Sequence, residues 1–178
     1  MEQPLKKLKH YDIENHVRFL TFSCFQRLPL FQNDAIKNAY MEHLDSVREG
    51  LEFRLCAWVI MPEHVHLLVK PNLPKTPIST VVWHLKRNFA RRMIVRWREL
   101  DAPILPRLLD NQGRSHFWQH SAGFDRNIFS EHEFHEKIDY ININPASRGL
   151  VEQPEQWKWS SARWYNGERE DTLRIDRP

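Results

Sequence analysis

Apolar side chains alternate with polar ones in three short segments, which predicts three β-strands. Residues 17–25 are rich in β-branched and aromatic side chains, and residues 51–61 and 64–70 follow the same pattern. Only Pro62 and Glu63 separate the second segment from the third, so we expect these two strands to form an antiparallel hairpin. One face of the second strand is predicted to carry Phe53, Leu55, Ala57 and Val59.

Two longer segments carry apolar residues every three or four positions, which is typical of amphipathic helices. The first is expected to begin at Asp34, a good N-terminal cap, and to stop at Gly50. The second covers residues 78–100. Its apolar stripe consists of Ile78, Val82, Leu85, Phe89, Met93 and Trp97.

A third helix is predicted near the C-terminal end. Ser130 and Glu133 have the spacing of a capping box, so the helix should start there. It should run to about Asn144, because Pro145 disfavours helical backbone in the residue before it.

The remaining segments complete an α+β pattern. Residues 101–116 are punctuated by proline and glycine and are expected to form a loop, and residues 116–119 are expected to form a short fourth strand. The order β-α-β-β-α-β-α predicts a ferredoxin-like or RRM-like fold, with helices packed on an antiparallel sheet. We divide the chain into an N-terminal arm (1–16), one folded domain (17–165) and a polar, loose C-terminal tail (166–178).

Composition narrows the class of protein. The chain has 178 residues, 41% of them hydrophobic, which suits one domain with a real core. Cys24 and Cys56 both lie in apolar runs, so we expect buried thiols and no disulfide. No apolar stretch approaches the roughly 20 residues of a membrane helix, and the charged N-terminus does not resemble a signal peptide. We therefore expect a cytoplasmic protein without a membrane partner.

His64 and His66 are the first candidates for chemistry. They are two positions apart on the third strand, so both side chains should lie on one face of the sheet. Val65, Leu67 and Val69 should fill the opposite face. The pair can be a polar strand surface or a chelate for a divalent metal ion.

Tyr140 and Asn144 give this pair a possible partner. Tyr140 lies about 100° away from the buried stripe of the third helix, and Asn144 follows one turn later on the same side. The amide oxygen of Asn144 is a hard ligand that suits Mg²⁺ or Mn²⁺. Alternatively, Tyr140 is a tyrosine at the rim of the sheet with a packing role.

The distribution of basic and aromatic residues suggests that the protein binds nucleic acid. The net charge is only +3, but the second helix carries six basic residues before its first acidic one: Lys86, Arg87, Arg91, Arg92, Arg96 and Arg98. Such a run attracts phosphates, although it can also be a solvated helix face. Trp118, Trp157, Trp159 and Trp164 lie in loop-like or terminal segments, where some could stack on unpaired bases. Trp157 and Trp159 could instead pin the C-terminal segment to the core.

Five stretches together resemble the REP-associated tyrosine transposases, a branch of the insertion-sequence-200-like transposases within the HUH endonuclease superfamily. The resemblance covers about residues 15–165. The matching stretches are AWVIMPEHVHLLV (57–69), HLKRNFARR (84–92), FWQ (117–119), FHEKIDYININPASRGLV (134–151) and WKWSSARWY (157–165).

The resemblance implies the HUH endonuclease fold over residues 17–165 and a role for each matching position. His64 and His66 match the metal ligands, Asn144 the position that completes the metal site, and Tyr140 the nucleophile. The implied cofactor is Mg²⁺ or Mn²⁺. The basic helix (84–98) and the WSS segment (157–161) are implied to contact DNA, which makes DNA-binding candidates of Lys86, Arg87, Arg91, Arg92, Trp159 and Ser160. Trp118, which could stack on unpaired bases, is a further DNA-binding candidate.

The implied reaction is cleavage and rejoining of hairpin-associated single-stranded DNA through a 5′-phosphotyrosine. The branch is implied to be monomeric, although dimers that share active sites occur in the superfamily. Two other classes remain open from the residues alone. One is a nucleic-acid-binding module without catalysis, and the other is a metal-dependent hydrolase that uses water and forms no covalent adduct.

Overall fold

The computed structural model describes residue 13 and residues 16–120, 123–170 and 172–178. The predicted N-terminal arm (1–16) therefore lies outside the described residues, apart from Ile13 and His16.

The described residues form four strands and four α-helices. The strands are Val17–Ser23 (β1), Arg54–Ile60 (β2), His64–Lys70 (β3) and Phe124–Ile128 (β4). The helices are Asp34–Leu51 (α1), Ile78–Glu99 (α2), Glu131–Ser147 (α3) and the single turn Ala162–Tyr165 (α4).

The four strands form one antiparallel sheet in the order β2-β3-β1-β4. Each neighbouring pair runs in opposite directions, and the predicted hairpin of β2 and β3 is present. This strand order, with two crossover helices, is that of the ferredoxin-like fold, so the predicted fold class is confirmed.

Apolar side chains fill both faces of the sheet. On one face, Leu20, Trp58 and Leu67 pack against the apolar stripes of α1 and α2. On the other face, Leu68 packs with Ile138 and Ile141 of α3. Consequently α3 is separated from α1 and α2 by the whole thickness of the sheet.

The pattern on β2 differs from the prediction because the strand contains a register irregularity between Leu55 and Ala57. Leu55 packs in the α1/α2 core, whereas Ala57 and Val59 pack on the α3 side. An irregularity of this kind moves the following side chains to the other face of the sheet. The predicted single face for these residues is therefore wrong.

The fourth strand was predicted in the wrong place. Residues 116–119 make only an isolated bridge, between Trp118 and Cys24, and the true β4 is Phe124–Ile128. This edge strand is mostly polar and is held partly by side chains: Arg18 Nε donates to Asp125 Oδ1 at 2.8 Å. Because polar contacts hold β4 to β1, its sequence lacks the alternation of apolar and polar residues by which strands are predicted.

The ends of two helices also differ from expectation. Asn33, not Asp34, caps α1 by accepting a hydrogen bond from the Ala35 amide, and α1 continues past Gly50 to Leu51. Helix α3 begins as predicted, because Ser130 accepts from the Glu133 amide at 3.1 Å. It continues through Pro145 to Ser147.

The C-terminal tail is docked rather than loose. Leu173 is buried in the α1/α2 core. The backbone amide of Asp176 donates to Leu55 O, and the Asp176 carboxylate accepts from the Leu55 amide at 3.0 Å. The tail therefore covers part of the β2 edge, which the polar composition of residues 166–178 did not indicate.

Gly123 is required for β4 to meet β1. Its φ is +80°, and a Cβ at this position would collide with the carbonyl oxygen of Thr21. We expect Gly123→Ala to lower the free energy of unfolding by more than about 2 kcal/mol, because strained backbone and a steric clash add. Gly149→Ala is the matched control: its φ is +68° but the space around it is open, so the cost should be only about 1 kcal/mol. Equal losses in urea denaturation of the two variants would contradict the close approach.

Candidate active site

His64 and His66 lie on the sheet face that α3 covers. Val65 and Val69 point to the opposite face, into the α1/α2 core, as the alternation along β3 predicts. Both histidines are buried, so this is not a solvated strand surface. Buried imidazoles need polar partners, and each of the two has them.

The two imidazoles point at each other. His64 Nε2 lies 3.0 Å from His66 Nε2. His64 Nδ1 lies 3.1 Å from Glu63 Oε1, and because the carboxylate can only accept, it holds the proton on Nδ1 and leaves Nε2 with its lone pair. His66 Nδ1 lies 2.8 Å from Thr21 Oγ1, a hydroxyl that can turn to donate or accept. Both Nε2 atoms can therefore present lone pairs to the same point.

Burial also favours the neutral form of both rings. It lowers the pKa of His66 to about 3, and the neighbouring His64 contributes in the same direction. Burial likewise lowers the pKa of His64, against the opposing effect of Glu63. Burial alone would raise the pKa of Glu63, but His64 and Arg148 hold it below its usual value. The pair is thus neutral at physiological pH, which is the state that binds metal ions.

Helix α3 places Tyr140 beside this pair. The Tyr140 ring centroid lies 5.3 Å from that of His66 and 6.0 Å from that of Phe19. Although these contacts anchor the ring, Tyr140 is 46% exposed, because it lies off the buried stripe of α3. An accessible phenol fixed against a buried histidine can reach both the histidine pair and a ligand from solvent.

Asn144 lies on the same side of α3 as Tyr140. It lies one turn after Tyr140 and one turn before Arg148, whose Nη2 is 2.9 Å from Glu63 Oε1. Since Tyr140 contacts His66 and Arg148 contacts Glu63, the neighbour of His64, we infer from helical spacing that Asn144 lies near the pair. Among the described residues, its buried Oδ1 has no hydrogen-bond partner.

These donors fit a divalent metal ion. Two imidazole nitrogens 3.0 Å apart can both bind one ion at the usual metal–nitrogen distance of about 2.1 Å. A buried amide oxygen without a partner costs stability unless something binds it, and it is a ligand of the hard type. A mixed set of two nitrogens and an oxygen suits Mn²⁺, and Mg²⁺ less well.

Three charged residues around the site were not predicted from the sequence. Glu63 orients His64, and Arg148 neutralises Glu63. Lys137 places Nζ 5.8 Å from the Tyr140 ring centroid. Helical spacing could have found two of them, since Lys137 lies one turn before Tyr140 and Arg148 lies one turn after Asn144 on the same side of the helix.

The predicted DNA contacts of Trp118, Trp159 and Ser160 need correction, because all three residues are buried. The indole N–H of Trp118 donates to Lys86 O at 3.0 Å, and that of Trp159 donates to Asn38 Oδ1 at 2.8 Å. The Ser160 hydroxyl donates to Trp157 O. Their side chains fix the fold and are not available for stacking on bases.

The segment that contains Trp159, Ser160 and Ser161 extends the sheet. The Ile60 amide donates to Trp159 O, and the Ser161 amide donates to Trp58 O, so the chain pairs with β2 after α3 has ended. The indole N–H of Trp157 also donates to Ile60 O at 3.0 Å. Of the two predicted alternatives for Trp157 and Trp159, the structure therefore supports the one in which they pin the C-terminal segment to the core.

The basic helix lies on the other side of the sheet from the histidines. Within α2, Arg87 and Arg91 are exposed. Arg92 donates to the carbonyl of Ala39 at 2.9 Å. Lys86 is half-buried with Nζ over the Phe22 ring, and burial lowers its pKa to about 8. These residues are not brought together with His64 and Tyr140.

The described part of the chain contains no helix that is both long and apolar enough to cross a bilayer. Cys24 and Cys56 are buried and unpaired with each other, as expected.

A comparison with protein families identifies the class of this protein as a transposase. The family model "Transposase IS200 like" matches residues 10–143, most of the chain, and the chain belongs to this family of enzymes that cut and join DNA. The predicted resemblance to the REP-associated branch is also confirmed.

This chain is similar in sequence to one protein of that branch and in fold to the solved structure of another. A REP-associated tyrosine transposase of Escherichia coli (strain K12) is 25% identical over 164 residues, which cover 88% of this chain and 82% of the relative. The structure of a REP-associated tyrosine transposase bound to a REP hairpin superposes with a TM-score of 0.67 at 19% identity, and the match covers 97% of this chain and 93% of the other. At this identity the superposition supports the fold.

Proposed function

We propose that this transposase cleaves and rejoins single-stranded DNA beside a hairpin, with Tyr140 as the nucleophile. The observation that carries the proposal is the contact of the Tyr140 ring with the His66 ring, 5.3 Å between centroids. This contact joins an accessible phenol to the buried, neutral His64/His66 pair.

The reaction is a transesterification at phosphorus. The phenol oxygen of Tyr140 forms a bond to the scissile phosphorus, and the bond from phosphorus to the 3′ oxygen breaks, which leaves a 5′-phosphotyrosine and a free 3′-OH. The phenol proton passes to water, which the exposure of Tyr140 allows, and the departing 3′ oxygen takes up a proton. Because the phosphodiester energy is kept in the phosphotyrosine, a 3′-OH can reverse the step and reseal a strand.

His64, His66 and Asn144 would hold the metal ion. When bound, Mn²⁺ or Mg²⁺ supplies Lewis-acid neutralisation of charge on the scissile phosphate. Glu63 keeps the His64 ring oriented for this role, as carboxylates commonly do for metal-binding histidines. We expect tighter binding of Mn²⁺ than of Mg²⁺, since two of the three ligands are nitrogens.

Positive side chains border the same site. Lys137 lies beside the Tyr140 ring and Arg148 lies beside Glu63, on the same side of α3. Both can attract the phosphates that flank the scissile bond.

A hairpin is the proposed form of the substrate, because the superposed relative binds a REP hairpin. The exposed part of α2 offers a second contact away from the cleaved phosphate: the Arg87 guanidinium lies 4.9 Å from the centre of the exposed Trp83 ring. Arg91 lies one turn further along the helix. A double-stranded stem could bind there through its backbone while the single-stranded flank enters the active site on the other side.

One chain contains every proposed catalytic group, since Tyr140 contacts His66 of the same chain. We therefore favour a monomer as the active form, with a dimer as the alternative that sedimentation would reveal. Acting on the DNA of its host fits the cytoplasmic location expected from the sequence.

The test is incubation of the protein with a single-stranded hairpin oligonucleotide that carries unpaired flanks and a label at its 3′ end, in the presence of Mn²⁺. We expect a labelled protein–DNA adduct that survives denaturing electrophoresis, disappears with a chelator, and is absent when the flanks are base-paired.

The two alternative classes, a metal-dependent hydrolase and a non-catalytic binding module, would give different results in this experiment. Cleaved DNA without an adduct would indicate a hydrolase that uses water. Retarded but uncleaved DNA under all metal conditions would indicate a binding module, and equal cleavage of the fully duplex substrate would overturn the single-strand assignment.

A further inference from the structure

A second group of metal-binding side chains lies in the segment between α2 and β4, away from His64 and His66. Asp110 begins a tight hairpin there, in which Leu109 bridges to Ser115. Asp110 Oδ1 accepts from the backbone amides of Gln112 and Arg114, both at 2.9 Å. These bonds fix the carboxylate through Oδ1 and leave Oδ2 to contact side chains.

Two histidines converge on that oxygen. His116 Nε2 lies 2.8 Å from Asp110 Oδ2, and His120 Nε2 lies 3.1 Å from His116 Nε2 and 3.9 Å from the same oxygen. The separation of the two ring nitrogens is nearly that of the His64/His66 pair. Asp110 and His116 are partly buried and His120 is exposed, so the group is held by the fold on one side and open to solvent on the other.

We propose that Asp110, His116 and His120 form a zinc site. Two neutral imidazoles and one carboxylate are a common zinc ligand set, and three protein ligands leave a fourth position for water. The ion would tie the Asp110 hairpin to the chain that leads into β4. It would do so beside Phe25, whose ring packs 5.2 Å from that of His116, just past the end of β1.

Arg114 is the competitor for this site. Its Nε donates to Asp110 Oδ2 at 2.9 Å, on the oxygen that would bind zinc. The Arg114 side chain is 60% exposed, so it can turn into solvent when the ion enters. Removing its charge should therefore tighten zinc binding, which a mere network of surface ion pairs would not predict.

The experiment is titration of the full-length protein with Zn²⁺ by calorimetry. Zinc is first added to the His64→Ala variant, so that only the second site is observed. We expect one equivalent to bind, His120→Ala to weaken that binding by more than about tenfold, and Arg114→Gln to strengthen it by about threefold or more. The matched control is His132→Ala, which removes an exposed histidine of α3 and should change nothing.

A second measurement, the change of Tm on addition of Zn²⁺, can be made on the protein without any substitution. Zn²⁺ should raise the Tm of the otherwise unmodified protein and raise it less in His120→Ala, whose side chain is exposed and whose loss should not unfold the chain. Absence of zinc binding in His64→Ala with intact circular dichroism, or unchanged affinity in both His120→Ala and Asp110→Asn, would overturn the site. Weaker binding in Arg114→Gln would overturn the competition.

Discussion

Tyr140→Phe is expected to abolish the covalent protein–DNA adduct and to reduce cleavage of a hairpin oligonucleotide to background. The substitution removes only the oxygen that attacks phosphorus, while the ring keeps its contacts with Phe19 and His66. Binding of the same oligonucleotide should weaken by less than about tenfold, the most that one neutral hydrogen bond contributes. The measurements are adduct yield on denaturing gels and the Kd from fluorescence anisotropy.

The matched control for this variant is Tyr165→Phe. Tyr165 is similarly exposed, but its hydroxyl donates to Cys56 O at 2.6 Å, and Tyr165 has no proposed role in the reaction. We expect this variant to lose about 1 kcal/mol of stability and to keep its adduct yield. An adduct that persists in Tyr140→Phe, or one lost equally in Tyr165→Phe, would remove Tyr140 from the mechanism.

His64→Ala is expected to weaken the binding of Mn²⁺ at the active site by more than about 100-fold, because merely disturbing a group that orients a ligand costs about 10–100-fold. Cleavage should then no longer respond to metal, whereas the protein should still unfold cooperatively, about 1–3 kcal/mol less stable. Calorimetry with Mn²⁺ and adduct yield against metal concentration are the two readouts.

Two further variants sharpen this result. His132→Ala, on the exposed side of α3, should behave as the unmodified protein in both assays. Asn144→Asp should retain Mn²⁺ binding because a carboxylate is also a hard ligand, whereas Asn144→Leu should lose most of it. If Asn144→Leu binds Mn²⁺ normally, the orphaned amide oxygen is not a ligand and the site consists of the histidines alone.

Local patterns predicted the strand that carries the histidines and the helix that carries the tyrosine. The period of two along β3 depends only on backbone geometry, so His64 and His66 had to lie together on the face opposite Val65. Helical spacing likewise predicted that Tyr140 and Asn144 share one side of α3.

The errors share a different cause, which is packing between distant parts of the chain. Trp118 and Trp159 looked like surface residues because their segments lack regular periodicity, but both side chains are buried and each indole N–H has an acceptor on another element. Strand β4 is polar because Asp125 pairs with Arg18 across the sheet. Neither partner is visible from the local sequence.

The sequence by itself determined the family, the fold class and the residue types available for chemistry, since these follow from periodicity and from motifs read along the chain. Only the tertiary structure decided that α3 crosses the β3 face so that Tyr140 meets His66, and that Arg148 reaches Glu63. It alone decided that α2 lies behind the sheet, and that Asp110, His116 and His120 converge. Contacts of this kind depend on which apolar faces bury each other, and burial is a property of the whole folded chain rather than of any segment.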